Sequence, residues 1–471
     1  MAGSDGRSPL TISAIKADVG SIGGHTQPSA EMLKVASDMV AAQRGKLLID
    51  SRVTHTGDDI CLLMTHRQGI EAEAIHRLAY DIFLAAGSVA ERQGLYGAKQ
   101  DLLKSEFSGN IQGMGPGVAE MEIVERPAEP FMVLTADKTE PGAFNLLLYL
   151  TFCDPMYCGG LLLSPDVGKG FTFKIVDVNH TEAEREITLH APEDLYDLAA
   201  LLRDTGRFVV KSIHSRAHPD EQAASLSTTR LKNIAGRYVG KDDPVAIVRT
   251  QKIFPATEEF GLAFSKVPYV AGDCRGSHNM PLAPVPLNTD SSIFYCLPMV
   301  AAAGYSVKEG ILAGPVDLFK NPVWEVFLEQ AVRKGAEMRA QGFFNPAMLG
   351  MEELEYGGIM ERLKALDRRF VLNGARDGER ARPASAVRPR TGRTAAARPQ
   401  APVQQVCRRL GADRARRDAR RLYGHHRRTG PAVVARTRPG MGDRRIWNAP
   451  PVHQGAEPPG IRHREDRRPG A

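Results

Sequence analysis

The segment GRYVGKDDP, residues 236–244, sets Tyr238 three residues before Lys241 and follows that lysine at once with Asp242 and Asp243. A lysine amine can attack a carbonyl carbon and form an imine that serves as an electron sink. A phenol within hydrogen-bond reach can give and take the proton that such chemistry moves. Two adjacent carboxylates are hard oxygen ligands of the kind that hold Mg2+. The segment therefore has the parts of a covalent site beside a metal site. An exposed charge cluster or a plain turn would have the same composition.

Further carboxylates fall where strand-like patterns begin or end. Asp18 follows TISAIKA, Asp58 and Asp59 directly precede ICLLMT, Asp137 follows FMVLTA, and Asp242 and Asp243 precede PVAIVRT. Strand ends on one edge of a sheet converge in space, and α/β sites form there. Six carboxylates held together repel one another unless cations sit among them. An all-oxygen set suits Mg2+, which also accepts water and substrate phosphate as ligands. Turns are rich in Asp for local reasons, so the weight lies on the two Asp-Asp pairs and two further strand-end Asp taken together. Partners suited to phosphate lie nearby in sequence: Lys138, Arg275 in CRGSHN, and Gln100 with Tyr96 in YGAKQD. His25, after the glycines of GSIGGH, could bind phosphate or simply end a turn. No GxxxxGK[ST] occurs, and VGKG at 167–170 is too short to mean a phosphate loop.

The elements that must position these residues alternate in type. LTISAIKA (10–17), KLLIDSRV (46–53), ICLLMT (60–65), VAEMEIVE (118–125), FMVLTA (131–136), FTFKIVDV, RFVVKSIHS and VAIVRT read as strands. SAEMLKVASDMVAAQRG (29–45) places Met32, Leu33, Ala36, Met39 and Val40 on one helical face, with Gly45 as a stop. Residues 70–94, EDLYDLAALLRD, QAASLSTTRLKNIAG (222–236) and NPVWEVFLEQAVRKGAEMRAQG also read as helices. The pattern is that of a mixed α/β domain, with sheet covered by helices.

Charge divides the chain in two. Residues 374–471 hold 24 Arg, no Lys and 8 Asp plus Glu, a balance of +16, whereas the whole chain is only +6 and the body therefore −10. The organisation expected is a 1–9 extension, a 10–373 domain and a 374–471 disordered basic tail. The tail's Arg, Pro, Ala and Gly cannot bury enough surface to offset their ordering entropy. A nucleic-acid-binding arm is one reading of such charge, but the absence of Lys is what GC-rich codons give when read out of frame. The cysteines are scattered, with no CxxC, so buried thiols and a reducing cytoplasm are expected. No run approaches the roughly 18–20 apolar residues of a membrane span, and MAGSDGRSPL has no apolar signal core.

Eight motifs occur in order: IKADVGSIGGH (15–25), HTGDD (55–59), YGAKQDLL (96–103), FSGN (107–110), GPGVAEMEI (115–123), ADKTEPGAFN (136–145), YVGKDDP (238–244) and RGSHN (275–279). Together they closely resemble the archaeal-type bifunctional fructose-1,6-bisphosphate aldolase/phosphatase family, from about residue 10 to about 370. The resemblance implies a single-domain layered α-β-β-α sandwich assembled as a homo-octamer. It implies condensation of dihydroxyacetone phosphate with glyceraldehyde 3-phosphate, then removal of the C1 phosphate of fructose 1,6-bisphosphate, in one gluconeogenic active site. By the same resemblance Lys241 is the Schiff-base lysine and Tyr238 the proton donor and acceptor. Asp18, Asp58, Asp59, Gln100, Asp137, Asp242 and Asp243 match the ligands of several Mg2+ ions. His25, Tyr96, Gly109, Asn110, Lys138, Gln251, Arg275 and Tyr356 match substrate contacts. In the family the 238–243 loop serves both chemistries by moving. Mg2+ near Lys241 would also cancel the field of two carboxylates that otherwise keeps its amine protonated.

Two departures stand out. FYCLP (294–298) replaces a run like FDGPP, so Tyr295 stands for a substrate-binding aspartate with Cys296 beside it, and Phe144 replaces a usual tyrosine. A phosphatase that has lost the aldol step is therefore the competing enzyme reading. Nucleic-acid binding through the tail is the competing reading of another class. No specific nucleic acid and no membrane are expected as partners.

Overall fold

Leu10–Asp18 form strand β1, as the β-branched and apolar run LTISAIKA predicts. The computed structural model describes residues 9–102, 115–180, 184–228, 231, 242–271, 279–292, 297–340 and 359–373. All lie within the first of two units, Met1–Pro383 and Ala384–Ala471. The residues expected to form a basic tail, 374–471, are outside the described residues.

After β1 come α1 (Ala30–Ala41), β2 (Asp50–Thr56), β3 (Asp59–His66), α2 (Glu73–Arg92) and β4 (Gly117–Ile123). The four strands pair antiparallel in the order β2-β3-β1-β4. Helix α1 begins at Ser29, whose hydroxyl accepts the Met32 N–H at 3.3 Å and so satisfies one orphan donor of the first turn. Its buried stripe of Met32, Ala36 and Val40 joins Ile75, Ala79, Ile82 and Phe83 of α2 against Ile15, Ala17, Ile60 and Leu62 of the sheet.

The next stretch holds β5 (Glu129–Asp137), α3 (Asn145–Cys153), α4 (Gly160–Leu163), β6 (Phe171–Asp177), β7 (Glu184–Ala191), α5 (Leu195–Leu202), β8 (Phe208–Ser215) and β9 (Gln222–Leu226). Then follow β10 (Val245–Arg249), α6 (Thr257–Phe264), β11 (Tyr269–Ala271), β12 (Asn279–Pro281), β13 (Ala283–Pro284), β14 (Met299–Lys308) and β15 (Ile311–Asp317). The last are α7 (Val323–Ala340), α8 (Met360–Asp367) and β16 (Val371–Asn373). Ten of these strands make a second sheet, β13-β14-β5-β10-β9-β8-β6-β7-β16, with β15 on β14.

Strand alternation assigns the faces. Ile12 and Ala14 of β1 share a core with Phe131 and Val133 of β5 and Val245 and Ile247 of β10. The intervening residues of the second sheet, Met132, Leu134, Ala246 and Val248, pack with Leu147, Leu201 and Phe260 of α3, α5 and α6. The chain is thus a mixed α/β domain whose two main sheets share one core. No helix among the described residues is long and apolar enough to cross a membrane.

Two sequence expectations fail locally. Residues 222–226 form a strand, not the start of a helix over 222–236. Ala223, Ala224 and Leu226 are buried on both faces between β8 and β10, and this tertiary setting overrides the helical propensity of Ala and Leu. The strand expected at 46–53 begins at Asp50, because Gly45 turns the chain at φ +73° and Leu48 closes back on Gln43. Cys61, Cys153 and Cys158 are buried free thiols, as expected. Phe144 is fully buried in the same core as α3.

Candidate active site

The carboxylates do converge, but not on one sheet edge. They meet where the ends of two sheets face each other. Asp18 and Asp59 are register partners at the close of β1 and the opening of β3. Asp137 ends β5, and Asp243 precedes its antiparallel neighbour β10. Asp18, His25 and Asp58 form one group of potential ligand atoms, and Asp59, Asp137 and Asp243 a second, with the atoms of each group within 4.8 Å of one another.

Local chain geometry builds this junction. Gly57 takes φ +56° in the β2–β3 turn, and a Cβ there would overlap the Asp137 carboxylate and the Ser291 hydroxyl. Only glycine permits both the turn and the approach of Asp137. The 288–292 stretch is laced to the turn: Asn288 accepts the His55 N–H at 2.9 Å and the Thr289 carbonyl accepts the Gly57 N–H at 2.9 Å. Ser291 in turn donates to Asp137. Asp243 exchanges bonds with Thr139, donating its N–H to the Thr139 carbonyl at 3.0 Å and accepting the Thr139 N–H on Oδ1 at 2.6 Å.

Two ammonium groups lie among the carboxylates. Lys138 donates to Asp58 and, at 2.8 Å, to Asp137. Lys16 donates to Asp59 and, at 2.9 Å, to the Asp243 carbonyl. Burial pushes the Asp18 carboxyl well above the usual range, and the charges of Asp58 and Asp101 add to it. Burial also lifts Asp137, to about 6, with Asp58 and Asp243 reinforcing and Lys138 opposing. Burial works against Asp58 too, but Lys138 and His25 prevail and hold it below the usual range. Lys138 is held well above the usual lysine value, because Asp137, Asp58, Asp243 and Asp18 outweigh its burial. It is a fixed cation suited to an anionic group, not a free amine.

The donor set fits divalent cations. Asp59 Oδ1 is buried with no hydrogen-bond partner among the described residues, and buried Asp58 Oδ2 faces the His25 Nδ1 at 3.4 Å. A buried carboxylate oxygen left open is costly unless something positive meets it. The all-carboxylate group of Asp59, Asp137 and Asp243 suits Mg2+ or Mn2+, and the His25 imidazole adds a nitrogen donor to the other group.

Other expected residues fall at varying distances. His25 lies 3.4 Å from Asp58 and meets the half-exposed Tyr96 ring edge-on at 4.8 Å. Gln100 is half-buried in a short turn beside β1, where its neighbour Asp101 accepts the Asp18 N–H at 2.9 Å. Asp242 is half-buried next to Asp243 but belongs to neither group of three. Gln251 is not brought to the cluster within this chain. It follows the far end of β10, where its carbonyl accepts from Arg126 at 2.9 Å. Tyr238, Lys241, Gly109, Asn110, Arg275, Tyr295, Cys296 and Tyr356 lie outside the described residues. Sequence reasoning missed Lys16, Asp101, Thr139 and Ser291. Lys16 had a legible sign: a charged residue on the apolar face of a strand, two positions before Asp18.

The family model described as fructose-1,6-bisphosphatase matches residues 9–371. A Thermus thermophilus protein named fructose-1,6-bisphosphate aldolase/phosphatase is 61% identical over 361 residues, covering 77% of this chain and 99% of the relative. Proteins of the same name from Cenarchaeum symbiosum and Methanothermobacter marburgensis are 48% and 44% identical, covering 77% and 76% of this chain and 95% and 98% of their own lengths. Over residues 9–371, then, the chain belongs to the fructose-1,6-bisphosphatase family, among relatives that carry the aldolase/phosphatase name.

Proposed function

We propose that this protein is a bifunctional fructose-1,6-bisphosphate aldolase/phosphatase of gluconeogenesis. It joins dihydroxyacetone phosphate to glyceraldehyde 3-phosphate and then hydrolyses the C1 phosphate of the product to give fructose 6-phosphate. The observation that carries this reading is the pair of buried ligand groups that the two sheet ends bring together, one of which includes Asp243, two residues after Lys241 in the sequence.

Asp18, Asp58, Asp59, Gln100, Asp137, Asp242 and Asp243 would hold several Mg2+ ions. Bound Mg2+ would neutralise phosphate charge, polarise phosphoryl oxygens and lower the pKa of water. Lys138 would present its ammonium to a phosphate, with His25, Tyr96, Gly109, Asn110, Arg275 and Tyr356 as further contacts. Lys241 attacks the ketone carbon and loses water to form the iminium, and Tyr238 moves the proton at the carbon that is joined. Lys138 is a poor candidate for the imine, because its carboxylate partners keep it protonated. The three cores are compatible with a layered α-β-β-α sandwich over 10–373. A homo-octamer, a cytoplasmic location and a 1–9 extension belong to the same reading.

The departure at 294–298 favours one alternative, a phosphatase that has lost the aldol step. One experiment separates the two. The protein is incubated with dihydroxyacetone phosphate, reduced with borohydride and mapped by mass spectrometry. Label on Lys241 is expected. Label elsewhere sinks that assignment, and no label in a preparation that still releases phosphate supports the phosphatase alone. Lys241→Arg is expected to abolish the aldol step, since a guanidinium stays protonated.

A further inference from the structure

We propose that Lys16 is a positioning residue for the group formed by Asp59, Asp137 and Asp243, tying a carboxylate of one sheet to the main chain of the other. The inference rests on the reading that this group holds divalent cations. Lys16 stands two residues before Asp18 in β1, so both side chains leave the same face of the strand. That face also carries Ile12 and Ala14, which pack against β5 and β10 of the second sheet. Lys16 is therefore placed between the sheets, and its exposure is 0%. A lysine is almost never fully buried unless it is paired.

Two of its bonds are directed at different parts of the site. One goes to Asp59 Oδ2, while Oδ1 of the same carboxylate stays buried with no hydrogen-bond partner among the described residues. A carboxylate fixed by one oxygen and open at the other is what an outer-shell partner gives a metal ligand. The second bond goes to the Asp243 carbonyl at 2.9 Å. Asp243 sits at φ +54°, in the left-handed region, directly before β10. Such a conformation costs free energy and persists where neighbours hold it, and Lys16 and Thr139 are two such neighbours. One ammonium head with three donors can serve both oxygens at once. A methionine of similar length can serve neither.

Charge alone argues in the opposite direction. An ammonium beside a cation site repels the cation, so removing it should tighten binding. Positioning predicts weaker binding on removal. A purely structural role predicts lower stability with cation affinity unchanged. The three roles therefore differ in sign.

The test is calorimetric titration of Mn2+ into the EDTA-stripped full chain, for the wild type, Lys16→Met and Asp59→Asn. The expected result is Mn2+ binding by the wild type, its loss in Asp59→Asn, and a roughly 10- to 100-fold weaker affinity in Lys16→Met. Equal or tighter binding by Lys16→Met, with wild-type binding intact, overturns the role of Lys16 and leaves the metal reading standing. Wild-type binding that ignores Asp59→Asn overturns the metal reading and this proposal with it. If Lys16→Met does not fold, the double variant Lys16→Met/Asp59→Asn removes the buried pair together and avoids an unpaired charge. Its amide exchange over 243–249 should be faster than in the metal-free wild type, with 171–191 unchanged. Equal protection over 243–249 overturns the proposal.

Discussion

The paired strands β5 and β10 carry a charge cluster at each end, and the two clusters are built on opposite rules. At the far end, Glu129 is gripped by two guanidinium groups. Arg249 bonds it at 2.9 and 2.7 Å, and Arg126 at 2.9 and 2.6 Å. Arg249 also reaches Glu221, and the Phe254 ring lies 4.9 Å from each guanidinium carbon. Two acids meet two bases. At the other end, five carboxylates, Asp18, Asp58, Asp59, Asp137 and Asp243, meet two ammonium groups, Lys16 and Lys138, and the His25 imidazole among the described residues. The titration directions follow. Burial opposes ionisation of Glu129, but its arginines hold it below the usual range, whereas burial and like charge push Asp137 up to about 6. One end is complete by itself. Among the described residues the other keeps an excess of negative charge that a bound cation would neutralise.

The largest effect should come from breaking the complete end. Arg249→Met leaves Glu129 buried with half its partners, and removing one member of a buried pair costs about 3–5 kcal/mol. Urea unfolding should register that loss. A near-neutral result would mean that the two ends are not as different as their charge counts imply.

The incomplete end should respond to cations. Mg2+ at about a hundred times its dissociation constant should raise the unfolding free energy by roughly 2.7 kcal/mol. Asp59→Asn should remove most of that increment. Arg249→Met, if it folds, should keep it, because it alters the other end only. Loss of the increment in both variants would show that the ends communicate.

Acid should separate the ends more gently. A carboxyl whose folded value is raised contributes stability that is fully present below its unfolded value, near 3.8, and is lost as pH rises through about 6. The metal-free protein should therefore gain of order 1 kcal/mol from Asp137 as pH falls from 7 to 5, and less as coupling to its neighbours shares the proton. Glu129 has the opposite sign, since its contribution is present above the unfolded value and is lost only as pH falls through the lower folded one. It should be silent in this window. His66, pushed down to about 4 chiefly by burial, loses stability as pH falls from 6.5. It does so with or without Mg2+. The quantity to follow is thus the Mg2+ increment, which should shrink from pH 7 to pH 5 as protons compete for Asp137. An increment that stays constant would contradict the value near 6.

How much of this contrast the sequence discloses depends on the type of residue. Strand-end Asp are visible because a short continuous apolar run gives away its own boundaries, as with FMVLTA before Asp137. That the ends belong to two sheets was not visible, since β1–β3 and β5–β10 pairing is long-range and their meeting is set by the shared core. The complete end was not read at all. Glu129 and Arg249 look like ordinary charges at the edges of strands, and only burial makes them a pair. β9 was misread because Ala and Leu carry helical propensity while burial on both faces leaves no alternation to detect. Lys16 was passed over for a related reason: one charge in an apolar run is easily taken for a solvated position.

The smallest effect should come from the C-terminal side, and it depends on where the chain is cut. The carboxylates, Lys16, Lys138 and the Glu129–arginine group of the two ends all lie at or before residue 249, Ser291 and Phe254 lie well before residue 374, and the family match ends at residue 371. Truncation after Asn373 removes the arginine-rich 98 residues 374–471 and none of the groups above. Its unfolding free energy and Mg2+ increment should stay within about 0.5 kcal/mol of the full chain, as for changes away from packed features. A cut after Phe370, where the family-like motifs fade, should not be silent. Val371, Leu372 and Asn373 pair with Glu186, Arg185 and Glu184 of β7. Asn373 also donates to Glu184 at 3.0 Å, alongside Lys211 at 2.6 Å. Losing that edge strand should cost about 1 kcal/mol through its ladder and side-chain bonds, without touching the Mg2+ increment. Urea unfolding of both truncations, with and without Mg2+, measures this. If the cut after Asn373 alters the Mg2+ increment, residues beyond the family match act on the carboxylate end, and the contrast drawn between the two ends of β5 and β10 is incomplete.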